Sequence, residues 1–128
     1  METILPVIEH VHDKTLCLAS YTLSIGHCNA LAKCCRKLDA KFNRLILDNC
    51  GVDDSEFATI LNGLKSMTDF KKIIYRYNVF HKESLDALAG LLEKKIPNHL
   101  EELRIENCKS DTNIIRGLLH LLNQRCMI

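Results

Sequence analysis

Apolar positions recur along the chain in a fixed order. Phe42, Leu45 and Leu47 are followed by Cys50; Phe70, Ile73 and Tyr75 by Asn78; Leu100, Leu103 and Ile105 by Cys108. All three sets fit L-x-x-L-x-L-x-x-N/C, and they begin 28 and 30 residues apart. The alternation within each set is that of a strand with one buried face. The segments downstream repeat as well: Phe57, Ile60, Leu61 and Leu64 recur as Leu85, Leu88, Ala89 and Leu92, then as Ile115, Leu118, Leu119 and Leu122. That spacing makes one apolar helical face. Asp53, three places before Glu56, carries a capping-box signature, and Pro97 ends the helix that runs through residues 88–95. Each unit therefore reads as a strand, a turn and a helix.

A fainter unit precedes these. Leu31, Cys34, Cys35 and Leu38 copy the helical spacing, and the segment before them reads as a strand in two ways. Either Leu18, Tyr21 and Leu23 face inward, with Ser20, Thr22 and Ser24 outward, or Leu16, Ala19 and Tyr21 do; the first buries the larger side chains and is preferred. Ile4, Ile8 and Val11 form one helical stripe, so residues 1–14 are expected to be a helical cap. The repeats then divide the remainder into units at about 15–40, 41–68, 69–98 and 99–128. A stack of such units needs covered ends.

These residues resemble leucine-rich repeats of the ribonuclease-inhibitor-like class over about residues 15–125. The resemblance implies an α/β fold: a short solenoid of about four strand-turn-helix units, with a parallel sheet on the concave side and helices outside. It also implies protein binding, with Cys50, Asn78 and Cys108 bonding backbone groups at the strand ends. Two residues depart from the pattern: Tyr75 stands at an aliphatic position, and Ser110 stands where Val52 and Phe80 supply an apolar side chain.

Residues between the buried strand positions should line up in columns across the concave face. The columns read Arg44, Lys72, Glu102; then Ile46, Ile74, Arg104; then Asp48, Arg76, Glu106; then Asn49, Tyr77, Asn107. Alternating charge in the third column can be cross-strand support alone. Ile46 and Ile74, flanked by Arg44, Arg76 and Tyr77, instead suggest an interface centre, because Tyr and Arg are enriched there. The candidate protein-binding residues are therefore Arg44, Ile46, Asp48, Lys72, Ile74, Arg76, Tyr77, Glu102, Arg104 and Glu106. The strand around Arg104 is a second candidate, as an open edge that invites self-association or docking. Lys65, Lys71, Lys82, Glu83, Lys94 and Lys95 are expected on the solvated helical side.

Composition narrows the partners. At 128 residues there is room for one domain, and 47% hydrophobic with 26% charged residues is ordinary for a globular chain. Seventeen basic residues against sixteen acidic ones provide no net field for nucleic acid. No apolar run approaches the roughly 20 residues that a membrane helix needs, and the first ten residues do not read as a signal peptide. With seven cysteines, an odd number, and no Asn-X-Ser/Thr site, reduced thiols in the cytosol or nucleus are expected, including association with the cytoskeleton. Cys34 and Cys35 are assigned to the core, in the columns of Ile60 and Leu61. His27 with Cys28, Cys34 and Cys35, and His10 with His12, match no zinc-ligand spacing. No nucleophile elbow or phosphate loop occurs. The expectation is no catalysis, no cofactor and no metal, but a protein-interaction module or assembly scaffold acting through the concave sheet or an open solenoid end. The alternative is an inhibitor or regulatory subunit of an enzyme.

Overall fold

The computed structural model describes residues 11–20, 22–35, 42–67, 70–95 and 100–126. In chain order the elements are β1 (Val11–His12), β2 (Thr15–Ala19), α1 (Ile25–Cys35), β3 (Arg44–Asp48), α2 (Asp54–Leu64), β4 (Lys72–Arg76), α3 (Lys82–Lys95), β5 (Glu102–Glu106) and α4 (Thr112–Cys126). The five strands form one sheet in sequential order, with β2 to β5 parallel and alternating with the four helices. This is the expected α/β repeat. Strand residues at alternate positions, Leu16 and Leu18, Leu45 and Leu47, Ile73 and Tyr75, enter one continuous core with the apolar stripes of the helices.

The parallel ladder fixes the register: Leu16, Leu45, Ile73 and Leu103 share one rung, and Leu18, Leu47, Tyr75 and Ile105 another. The first unit thus follows neither register expected from the sequence. Leu16 and Leu18 are both inward, Ala19 is exposed, and Tyr21 lies outside the described residues. Leu23 is buried, but past the strand: its N–H bonds Cys50 O, and it takes the place that Val52 holds in the next unit. The helix shifts with the strand. Its core residues are Cys28, Leu31, Ala32 and Cys35, whereas Cys34 is half-buried and Leu38 is outside the described residues. Cys35 therefore occupies the column of Leu64, not that of Leu61. Gly63 follows from the small side chains of α1, because a Cβ on it would stand 2.7 Å from Ala32 Cα.

Residues 11–14, expected in a helical cap, instead form a hairpin with β2 that pairs Val11 with Leu16 and His12 with Thr15. Asp13 and Lys14 at its tip have φ of 54° and 60°, the left-handed pair of a type I′ turn, whose twist matches that of antiparallel strands. Ile4 and Ile8 lie outside the described residues.

Each strand ends the same way. Ser20, Asn49, Tyr77 and Asn107 have φ between 50° and 57°, which turns the chain out of the ladder. The next residue then ties neighbouring units together. Asn78 Nδ2 donates to Leu47 O at 3.0 Å and to Arg76 O at 2.8 Å, while its Oδ1 accepts from Cys50 N at 2.9 Å and Val52 N at 3.3 Å. The thiol of Cys50 makes the matching bonds to Leu18 O and Asp48 O, and that of Cys108 to Tyr75 O and Glu106 O. Burial holds the Cys108 thiol above its usual pKa, which suits a neutral donor. The structural role expected for this column is observed.

Tyr75 replaces an aliphatic residue without leaving a buried polar atom unpaired. Its ring stacks on Phe57, centroids 3.6 Å apart, and its hydroxyl donates to Val79 O at 2.5 Å with Val52 O at 3.3 Å. Burial drives its pKa upward, so it remains a neutral phenol.

The helix starts are also coupled. Asp53 caps α2 through the expected capping box with Glu56. Asp54, the first residue of α2, caps its neighbour: its carboxylate accepts from His81 N at 2.7 Å, Glu83 N at 3.0 Å and Ser84 N at 3.0 Å, at the start of α3. His81 is a poor cap, and this borrowed carboxylate satisfies the donors it leaves open.

Two predictions follow from these ties. Asn78→Ala leaves the buried Cys50 and Val52 amides without their acceptor and should destabilise by about 3 kcal/mol in urea denaturation. Asp54 has partial burial that raises its pKa, outweighed by hydrogen bonds from Ser84, His81 and Glu83, so its folded pKa lies below the ordinary 3.8. The bonds to ionised Asp54 thus stabilise fully above the unfolded value, and that contribution is lost as pH falls through the lower folded one. Asp54→Asn should cost about 1 kcal/mol at pH 7. The gap between the two melting curves should close as pH drops below 3.8.

Candidate functional site

Two surfaces compete for the site: the helix-free face of the sheet and the outer flank of the last unit.

On the sheet face the ladder brings the expected columns together. Arg44, Lys72 and Glu102 share one rung, Ile46, Ile74 and Arg104 the next, and Asp48, Arg76 and Glu106 the third. The charges among them are largely spent on one another. Arg76 Nε donates to Asp48 Oδ2 at 3.0 Å and its Nη1 lies 3.7 Å from Glu106 Oε1. Lys72 Nζ lies 3.8 Å from Glu102 Oε1, and Arg104 Nε 2.7 Å from Glu102 Oε2. Arg44 Nη1 donates to Asn43 Oδ1 at 3.1 Å. The hydrogen bond to Asp48, with the charge of that carboxylate, holds the Arg76 guanidinium protonated. The pairs that cross from strand to strand support the register of the sheet.

The apolar centre expected on this face is not open. Ile74 is only 8% exposed and Ile46 is half-buried. Ile74 sits on a middle strand, with a paired neighbour on either side and charged residues before and after it on the same face, so little of it reaches water. The exposed hydrophobic residue here is Tyr77, at 56%, with its hydroxyl 3.5 Å from Asn107 Nδ2. At φ 56° it occupies a backbone region that Asn favours and aromatic residues rarely adopt.

The outer flank is different. β5 pairs with β4 on one side and with no described strand on the other. Its inward residues Leu103 and Ile105 are only partly buried, whereas Leu45, Leu47, Ile73 and Tyr75 on the same rungs are fully buried. The helix repeats the contrast: Phe57 and Leu61 of α2 are fully buried, while Ile115 and Leu119 of α4, in the same columns, are 49% and 57% exposed. Between strand and helix runs a groove of about 370 Å³, lined by these four residues with Phe80, Leu118 and Leu122. Ser110, which stands where the other units have Leu23, Val52 or Phe80, also lines it; its buried Oγ has no hydrogen-bond partner among the described residues. Periodicity named every one of these apolar residues as core. It held no signal that one flank of the last unit would be bare, although the edge strand itself was legible.

The chain matches no protein-family model, and a search of curated proteins finds no similar sequence.

The strain at Tyr77 is testable. Tyr77→Asn should raise stability by roughly 0.5–1 kcal/mol, because Asn meets the same left-handed backbone at lower cost. A loss of stability in thermal unfolding would mean that the ring itself packs productively.

Proposed function

We propose that the chain is a leucine-rich-repeat-like protein-interaction module whose main docking surface is the open flank of its last unit. The observation that carries this reading is the contrast within columns: strand positions that are dry in β3 and β4 are only partly buried in β5, and the helix columns of Phe57 and Leu61, dry in α2 and partly buried at Leu85 and Ala89 in α3, stand exposed at Ile115 and Leu119 in α4. Monomeric proteins seldom leave so continuous an apolar strip beside an unpaired strand. The partner chemistry that fits is a strand laid along β5 with an apolar helical or side-chain surface over Ile115 and Leu119. The columns of the sheet face, with their paired charges, serve as a rim and a source of register rather than an apolar centre. Binding, not catalysis, is the assigned activity. The backbone-bonded thiols of Cys50 and Cys108 suit a reducing compartment, the cytosol or nucleus.

The test compares two surface variants of equal fold, checked by circular dichroism. Leu119→Asp should lose binding partners that the wild type recovers, by more than tenfold, whereas Tyr77→Ala should retain them. The reverse pattern would move the site to the sheet face.

A further inference from the structure

We propose that the open flank binds a second copy of this chain, through antiparallel pairing of β5 with its counterpart about a two-fold axis at Leu103. The proposal rests on the docking reading above and names its occupant.

The backbone of β5 sets the first condition. Glu101 N and Glu102 N both donate to Lys71 O and Glu106 O accepts from Tyr77 N, so the even-numbered residues of β5, together with the N–H of Glu101, spend their backbone groups on β4. Leu103 and Ile105, between them, aim their N–H and C=O groups at the free edge. A two-fold axis through Leu103 pairs that residue with itself through two hydrogen bonds, and lets the Ile105 N–H of each copy reach the Glu101 C=O of the other.

Charge sets the second condition. The outward side chains of β5 read Glu102, Arg104, Glu106. An axis at Arg104 would oppose Arg104 to itself and Glu102 to Glu106, which like charges disfavour. An axis at Ile105 would oppose Arg104 to Glu106, but it would draw Asn107 into the ladder, and Asn107 has already left the strand at φ 50°. The axis at Leu103 opposes Glu102 of each copy to Arg104 of the other. Arg104 already holds Glu102 of its own strand at 2.7 Å. Two such pairs, about 5 Å apart across the strands and about 7 Å long along them, close a quartet of alternating charge.

The helical layer sets the third. Leu119 lies at the middle of α4 and lines the same groove as Leu103, so the axis carries one Leu119 towards the other and covers Ile115 and the groove. The contact is isologous and closes on itself, as most stable homodimers do. The opposite end of the sheet is edged by the β1 hairpin, which leaves the parallel edge of β2 already taken.

Sedimentation equilibrium of the full chain from about 1 µM to about 1 mM tests the proposal, over the range of modest interface affinities. A monomer–dimer equilibrium is expected, and Arg104→Glu, which faces Glu102 with a like charge, should weaken it at least tenfold. The double variant Glu102→Arg with Arg104→Glu restores the alternation and should dimerise again, yet form few mixed dimers with the wild type. Both positions are surface-exposed or half-exposed, and circular dichroism confirms folding. A chain that stays monomeric throughout overturns the second copy as occupant; if Leu119→Asp still loses its partners, the docking reading survives that failure. A dimer indifferent to Arg104→Glu, or free mixing of wild type with the double variant, overturns the pairing and its register.

Discussion

Lateral stacking is the constraint from which the rest of the structure follows. A strand–helix unit of this period has apolar side chains on both flanks, and they become dry only where another unit lies alongside. Inside the stack this condition is met so fully that Leu45, Leu47, Phe57, Leu61, Ile73 and Tyr75 reach no water. At roughly 1.5–3 kcal/mol for each large side chain buried, the flanks outweigh any single hydrogen bond in the molecule. The β1 hairpin edges the sheet at one end, whereas at the other Leu103, Ile105, Ile115 and Leu119 keep the same repeat positions with no further unit beside them among the described residues.

Stacking alone would leave the units free to slip, and the strand ends prevent it. One residue at positive φ in each of four successive units turns the chain at one level, and the column beside them, Cys50, Asn78 and Cys108, bonds backward to the preceding strand. Asp54 repeats the device at the helix starts, where it caps its neighbour's helix. The sheet face gains its order from the same register, since Asp48, Arg76 and Glu106 pair only because their strands are held level. A surface so occupied with its own charges offers a partner less than its composition suggests.

The later three units were legible because their apolar positions are large and evenly spaced, and their strand and helix faces stand where the period puts them. The first unit was misread for a physical reason. Its core helix positions are filled by Cys28, Ala32 and Cys35, small residues that carry little periodic signal, and a run of alternating apolar residues before them supports several registers. The choice among these is made by pairing with β3, which no local pattern encodes. The β1 hairpin escaped notice because its left-handed turn is formed by Asp13 and Lys14 and not by Asn-Gly or Gly. The candidate site was half legible: the columns came together as expected, but the burial of Ile74 depends on its place in the middle of the sheet, and the exposure of Leu119 on its place in the last described unit. Both are properties of the stack, invisible to any one repeat.

The most direct test of the central claim is amide hydrogen exchange of the β5 edge as a function of protein concentration. Leu103 and Ile105 point their N–H groups to the free side, while Ile73 and Tyr75 lie on the same rungs inside the stack. The account expects fast exchange at Leu103 and Ile105 in dilute protein and protection that grows with concentration, while Ile73 and Tyr75 stay protected throughout. Edge amides equally protected at every concentration would show the flank to be covered from within the chain, and would contradict the account.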